Sequence, residues 1–157
     1  MTEIEQFVDI IKLLRGENGC PWDREQTHES LKAACIEEAA EVVCGINILN
    51  KTGNSDNLKE ELGDLLLQVV LHSQIADEEG LFNFEDVARC VKEKMIRRHP
   101  HVFAAESMDT SSEVIKRWEE IKHEEKAGKE WMDAELPSAF EEAKELIDKA
   151  KARKNIT

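Results

Sequence analysis

The sequence predicts an all-α fold: a helical bundle with a central antiparallel helix pair. Three observations carry that expectation. No proline stands between Pro21 and Pro100, so long helices are free to form there. Apolar residues recur at three- and four-residue steps, the period of a helix with one buried face. No stretch alternates with a period of two, and tyrosine, a favoured strand residue, is absent.

The first helix is expected over Glu3–Arg15, where Ile4, Phe7, Val8, Ile11 and Leu14 form one stripe. Gly16–Gln26 follows as a loop holding the GCPWD segment, where Trp22 can serve as an anchor; its role is left open by the sequence. Thr27 is the expected N-cap of a second helix reaching Leu49, whose apolar face is Leu31, Ala34, Cys35, Ala39, Val42, Ile46 and Leu49. The stretch NKTGNSDN, rich in turn formers, then reverses the chain. A third helix spans Leu58–Glu79, with Gly80 just beyond its end. Its middle, LLLQVVL over 65–71, is apolar almost all round, which marks it as the most buried helix. The fourth opens at Asn83 and ends before Pro100. A capping box, Thr110-x-x-Glu113, opens the fifth, which continues to Gly128. The sixth opens with Ser138-x-x-Glu141 and runs through KARKN. Its polar positions greatly outnumber its apolar ones, so it is expected to project from the body.

Composition narrows the function classes. At 157 residues the chain has the size of one ordinary domain. Leu, Ile, Val and Phe make up about a quarter of it, above the roughly one-fifth below which a highly charged chain stays disordered. The formal net charge of −13 argues against direct binding of nucleic acid, which needs a positive patch to neutralise phosphate. An anionic ligand would need positive charge from elsewhere, and a divalent metal supplies it. No apolar run approaches the roughly 20 residues needed to cross a bilayer, so no membrane partner is expected. The opening MTEIEQF lacks the basic-then-apolar order of a secretory signal, and the expected compartment is the cytoplasm. Cys20, Cys35, Cys44 and Cys90 form no CxxC pair and read as small apolar residues rather than a disulfide framework or zinc knuckle.

Two segments carry the chemistry, IEEAAEVV over 36–43 and EELGDLLL over 60–67. Glu38 and Glu41 are three apart on the second helix and Glu37 and Glu41 four apart, so they are surface neighbours. Glu61 and Asp64 stand in the same relation on the third. An antiparallel turn between these helices lets Glu38/Glu41 face Glu61/Asp64. Four ionised carboxylates beside apolar surface repel one another unless a cation compensates. Oxygen-only ligands select a hard ion, so the pattern reads as a cradle for Mg²⁺ or Mn²⁺ carrying a polyphosphate. The competing reading is a solvated acidic face, which the apolar run beside Asp64 counts against.

Lys94 and Arg98, four apart on the fourth helix, lie in a local basic patch and are suited to grip phosphate oxygens. Cations at a helix C-terminus also offset the macrodipole without any ligand. Trp118 and Lys122 share a face of the fifth helix, where an indole can stack a base beside an ammonium or simply fill a core. His72 reads as a packed residue.

With these residues in hand, the chain resembles the MazG family of nucleoside triphosphate pyrophosphohydrolases, within the all-α NTP-pyrophosphatase superfamily. The resemblance spans Ile4 to Lys126. It rests on GCPWDREQTHESL, the EExxE of Glu37, Glu38 and Glu41, the ExxD of Glu61 and Asp64, RRHPHVF, and Trp118-x-x-x-Lys122. It implies a MazG-like NTP pyrophosphohydrolase domain at 1–128 and a C-terminal linker and helix at 129–157. Members with two copies in tandem carry a linker similar to ELPSAFEEAKELIDKAKARKN. The resemblance further implies Mg²⁺ held by Glu38, Glu41, Glu61 and Asp64, with Glu37 adjacent. Lys94, Arg98, Trp118 and Lys122 would contact the nucleotide, and the protein would be a homo-oligomer, a dimer or higher. The expected reaction hydrolyses an NTP or dNTP to the monophosphate and pyrophosphate, with Glu37 or Glu38 orienting or deprotonating the water.

Two other classes compete. A di-iron carboxylate bundle needs Glu-x-x-His pairs, and Glu25/His28 and Glu120/His123 have that spacing. The first straddles the expected cap at Thr27 and is poorly placed for a bundle interior. The other is a non-catalytic acidic interaction module, which would be indifferent to chelators.

Overall fold

The computed structural model describes residues 1–155, and among them the regular structure is entirely helical, in nine helices with no strand. In chain order they are α1 (Glu3–Arg15), α2 (Pro21–Glu25), α3 (Lys32–Thr52), α4 (Asp56–Glu78), α5 (Phe84–Arg98), α6 (Pro100–Phe103), α7 (Ser111–Lys126), α8 (Glu130–Ala134) and α9 (Leu136–Lys154). The last two residues of the expected C-terminal stretch 129–157 lie outside the described residues. None of the helices is long and apolar enough among the described residues to cross a membrane.

The six expected helices are all present, and three short ones are added. Two of these, α2 and α6, begin at Pro21 and Pro100, where a loop and a helix end are expected. Proline is at home in the first turn, where its missing N–H has no partner to lose. The second expected helix begins later than Thr27. Thr27 and Ser30 instead exchange backbone-to-hydroxyl bonds of 2.9 and 3.1 Å, which close a separate turn before α3 starts at Lys32. Gly53 ends α3 with a left-handed φ of 75°, a conformation that favours glycine.

The described chain divides into two compact units. One runs from Met1 to Phe84 and takes in the C-terminal stretch from Glu141. Its core is Ile11, Leu31, Val70, Leu71 and Ile75, with Phe7, Val8, Leu14, Leu67 and Phe84 packed against it. The apolar stripe of α1 therefore faces α4, as its spacing predicts. The expectation that α4 is the most buried helix holds for its C-terminal half, where Val70, Leu71, Ser73, Ile75 and Ala76 are buried. Toward its N-terminus Leu62, Leu66 and Val69 are exposed, as are Val43 and Ile46 on α3.

Helices α3 and α4 pack on each other with very little between them. Gly45 is buried at that contact, and a Cβ there would stand 2.8 Å from the Cα of Leu58. The last part of α9 does not project freely: Lys32 on α3 meets Glu142 at 3.0 Å, and Ala150 is buried.

The other unit, Glu85–Phe140, holds most of α5 together with α6, α7 and α8. The predicted capping box at the start of α7 is formed, with Thr110 Oγ1 accepting from Glu113 N and the Glu113 carboxylate accepting from Thr110 N. Ile121 of α7 is buried.

Candidate active site

Glu38 comes from the second turn of α3, while Glu61 and Asp64 come from the second and third turns of α4. One carboxylate oxygen from each lies within 4.8 Å of the others, and this is the one such group among the described residues. The i, i+3 spacing of Glu61 and Asp64 places both on one side of α4. The close approach at Gly45 keeps α3 near enough for Glu38 to join them.

Burial makes this cluster costly. Glu61 is only 9% exposed, and Asn57, one turn earlier on α4, donates from Nδ2 to its Oε1 at 2.8 Å. Burial raises the Glu38 carboxyl above its ordinary range, and the negative charges of Asp64, Glu41 and Glu61 raise it further. The Lys154 ammonium pulls it the other way. The donor set is all oxygen and contains three like charges close together, which fits a hard divalent ion and not a histidine-bearing di-iron centre.

The EExxE segment divides by face. Glu38 turns to the cluster, whereas Glu37 and Glu41, four apart, accept ion pairs from α9: Arg153 pairs with Glu37, and Lys154 with Glu41. Glu41 thus stands near Glu38 but outside the close trio.

Of the expected nucleotide contacts, Arg98 and Trp118 are brought together in the second unit. The Arg98 guanidinium lies 5.1 Å from the Trp118 ring centroid, and His99 meets the same ring edge-on at 5.0 Å. Arg98 is also held by Glu125, through Nη2 at 2.6 Å and Nε at 3.1 Å. Lys122 approaches Glu119 at 3.4 Å along the exposed side of α7. Lys94 sits one turn before Arg98 on α5.

Two further features lie beyond what residue spacing predicts. Arg15 donates from Nη1 to the Gln26 carbonyl at 3.1 Å and from Nη2 to Glu78 at 2.7 Å, with its side chain 6% exposed. Arg15 Nη1 also donates to the Asp23 carbonyl and so anchors the GCPWD segment, while Trp22 is 61% exposed. Second, His72 bridges two partners: its Nδ1 is 2.7 Å from His28 Nδ1, and its Nε2 is 3.2 Å from Cys35 Sγ. Cys35 lies one turn before Glu38. Nothing in residue spacing signalled either, because both link positions far apart in the chain.

Residues 26–103 match the family model described as the MazG nucleotide pyrophosphohydrolase domain. The chain is 52% identical over 125 residues to the nucleoside triphosphate pyrophosphohydrolase/pyrophosphatase MazG of Thermotoga maritima, covering 80% of this chain and 46% of that protein. It is 48% identical over 130 residues to the nucleoside triphosphate pyrophosphohydrolase of Escherichia coli K12, covering 82% of this chain and 48% of that protein. It is also 48% identical over 124 residues to the uncharacterized protein YabN of Bacillus subtilis, covering 79% of this chain and 24% of that protein. The chain thus spans less than half the length of these three relatives.

Proposed function

The chain belongs to the MazG family through its residues 26–103, and from that premise we propose that it hydrolyses nucleoside triphosphates, ribo- or deoxyribo-, to the monophosphate and pyrophosphate with Mg²⁺ or Mn²⁺. The observation that carries this reading is the convergence of Glu38, Glu61 and Asp64 within 4.8 Å beside a buried helix contact. The relatives from Thermotoga maritima and Escherichia coli carry the corresponding names.

Glu38, Glu61 and Asp64 would hold the ion, with Glu41 completing the set once it leaves Lys154. A divalent ion there would offset the phosphate charge and lower the pKa of a bound water. Asn57 donates to Glu61 Oε1 and so restrains its carboxylate. Glu38 and Glu37 are the groups that orient or deprotonate the attacking water. Glu38 is the better placed of the two, because it faces the trio whereas Glu37 is paired with Arg153. Hydrolysis breaks the bridge between the α- and β-phosphates: the water's oxygen goes to one product, and its proton passes first to the carboxylate and then to solvent. Lys94, Arg98, Trp118 and Lys122 are the proposed nucleotide contacts, the cations for phosphate and the indole for the base.

Helices α3 and α4 are proposed to form an antiparallel pair at the centre of a homo-oligomer. The exposed Val43, Ile46, Leu62, Leu66 and Val69 support this, since a monomer would leave them in water. The proposed compartment is the cytoplasm.

The test is a panel of NTPs and dNTPs incubated with Mg²⁺ and scored for pyrophosphate against orthophosphate. Pyrophosphate release that EDTA abolishes is the expected result. Orthophosphate alone places the cut at another bond, and no turnover with any of them returns the chain to the class of acidic interaction modules.

A further inference from the structure

Two cations near the end of α9 sit on the motif that the proposed function needs for its metal. Arg153 pairs with Glu37 and Lys154 with Glu41, and Lys154 also lies 3.9 Å from Glu37. These carboxylates share one face of α3, four residues apart, so two consecutive residues of α9 satisfy both. The placement is held at a second point, because Lys32 at the start of α3 meets Glu142 at 3.0 Å. Between these two points Ala150 is buried. The end of α9 is therefore tied to α3 by side-chain ion pairs at both points, although polar residues dominate its sequence.

The structure assigns this end of α9 the role of a tethered counter-ion: Arg153 and Lys154 occupy the Glu37/Glu41 side of the acidic cradle and compete there with the divalent cation. The inference rests on the metal reading of Glu38, Glu61 and Asp64. Glu41 can serve as a fourth ligand only if it lets go of Lys154. The pairs are suited to release. Arg153 is 62% exposed and Lys154 39% exposed, and exposed ion pairs are weak and screened by salt. The Glu37 carboxylate is more enclosed, at 14%, so the contact is biased toward closure without being locked. A divalent ion bound in the cradle would pull Glu41 inward and free the strap.

The experiment is a Mn²⁺ titration followed by the electron paramagnetic resonance signal of the free ion, on the full chain. The proteins are the wild type, the double variant Arg153→Ala/Lys154→Ala, and Asp64→Asn. The double variant is expected to bind Mn²⁺ about 3- to 10-fold more tightly at low salt, with the gap closing near about 0.5 M salt as the pairs are screened. Equal or weaker binding by the double variant, with Asp64→Asn losing affinity, overturns the strap and leaves the metal site standing. Asp64→Asn binding Mn²⁺ as the wild type does overturns the metal reading, and the strap with it. Limited trypsin digestion gives an independent readout: Mn²⁺ is expected to speed cleavage after Lys151, Arg153 and Lys154 in the wild type and not in Asp64→Asn. Cleavage that Mn²⁺ leaves unchanged in the wild type contradicts release.

Discussion

A Cβ on Gly45 would stand 2.8 Å from the Cα of Leu58 and 3.1 Å from its amide nitrogen, so α3 and α4 meet here backbone to backbone. Glycine inside a helix costs about 1 kcal/mol relative to alanine. Gly45→Ala recovers that propensity but forces two backbones apart, and overpacking of this kind costs about 1–3 kcal/mol. The expected net result is a lower urea midpoint. Leu58 lies one turn before Glu61, so the displacement also spreads the trio and weakens Mn²⁺ binding. A midpoint raised by the full propensity gain, with metal affinity intact, argues that the two helices have room to spare.

Asp64→Asn separates stability from function. In the metal-free protein the three carboxylates of Glu38, Glu61 and Asp64 repel one another in a partly buried setting. Removing one charge there is expected to stabilise the chain by on the order of 1 kcal/mol, or about 2–4 °C in Tm for a domain of this size. Pyrophosphate release is expected to fall at least about 100-fold, as when one charge-stabilising group is lost from an active site. Calorimetry on the EDTA-treated protein checks the first outcome and product analysis the second. A drop in Tm would show that Asp64 is held by attractive contacts, which the trio does not supply.

What the sequence made legible was local. The stripe of α1 and the Thr110-x-x-Glu113 box depend on spacings of three and four, and both appear in the structure. Glu38, Glu61 and Asp64 were all candidates because each sits at a helical spacing from another acid. The division of EExxE was not legible. Whether Glu41 turns to Glu61 or to Lys154 depends on α9, which arrives from more than a hundred residues away. Arg15 was missed for the same reason, since its partners are Glu78 on α4 and the carbonyls of a loop. Trp22 shows the converse: a large apolar residue in a motif suggests an anchor, but only neighbours could make it one, and it stays 61% exposed.

His72 predicts a loss of stability in mild acid. Burial lowers its pKa from the ordinary 6.5, and the nearby His28 lowers it further. A folded pKa below the unfolded one means that the unfolded chain takes up the proton first as pH falls. The stability tied to neutral His72 is therefore fully present above about pH 6.5 and is lost as pH falls through the lowered folded value. Urea midpoints from about pH 8 to about pH 5 should decline in the wild type and decline less in His72→Gln. Glu78, held below its ordinary range by Arg15, adds a separate loss below about pH 4.5. Parallel profiles for wild type and variant would remove His72 as the cause.

Arg98 offers the sharpest test of the nucleotide contacts, because its charge already has a partner. Glu125 accepts from Arg98 at 2.6 Å and from Arg97 at 2.5 Å, and these two cations, Arg98 first, hold the Glu125 carboxyl below its ordinary range. A guanidinium compensated in this way has less field to offer a phosphate. Glu125→Gln keeps the side chain's shape and removes the competing charge. If Arg98 grips the triphosphate, KM for the preferred NTP is expected to fall by about 2- to 5-fold, with kcat little changed, since one partly exposed charge is worth about 1 kcal/mol or less. Arg98→Lys keeps the charge but loses the fork and its stacking on Trp118, and KM is expected to rise. If Arg98 only ties α5 to α7, Glu125→Gln lowers Tm and leaves KM where it was. The two readings thus differ in which measurement moves.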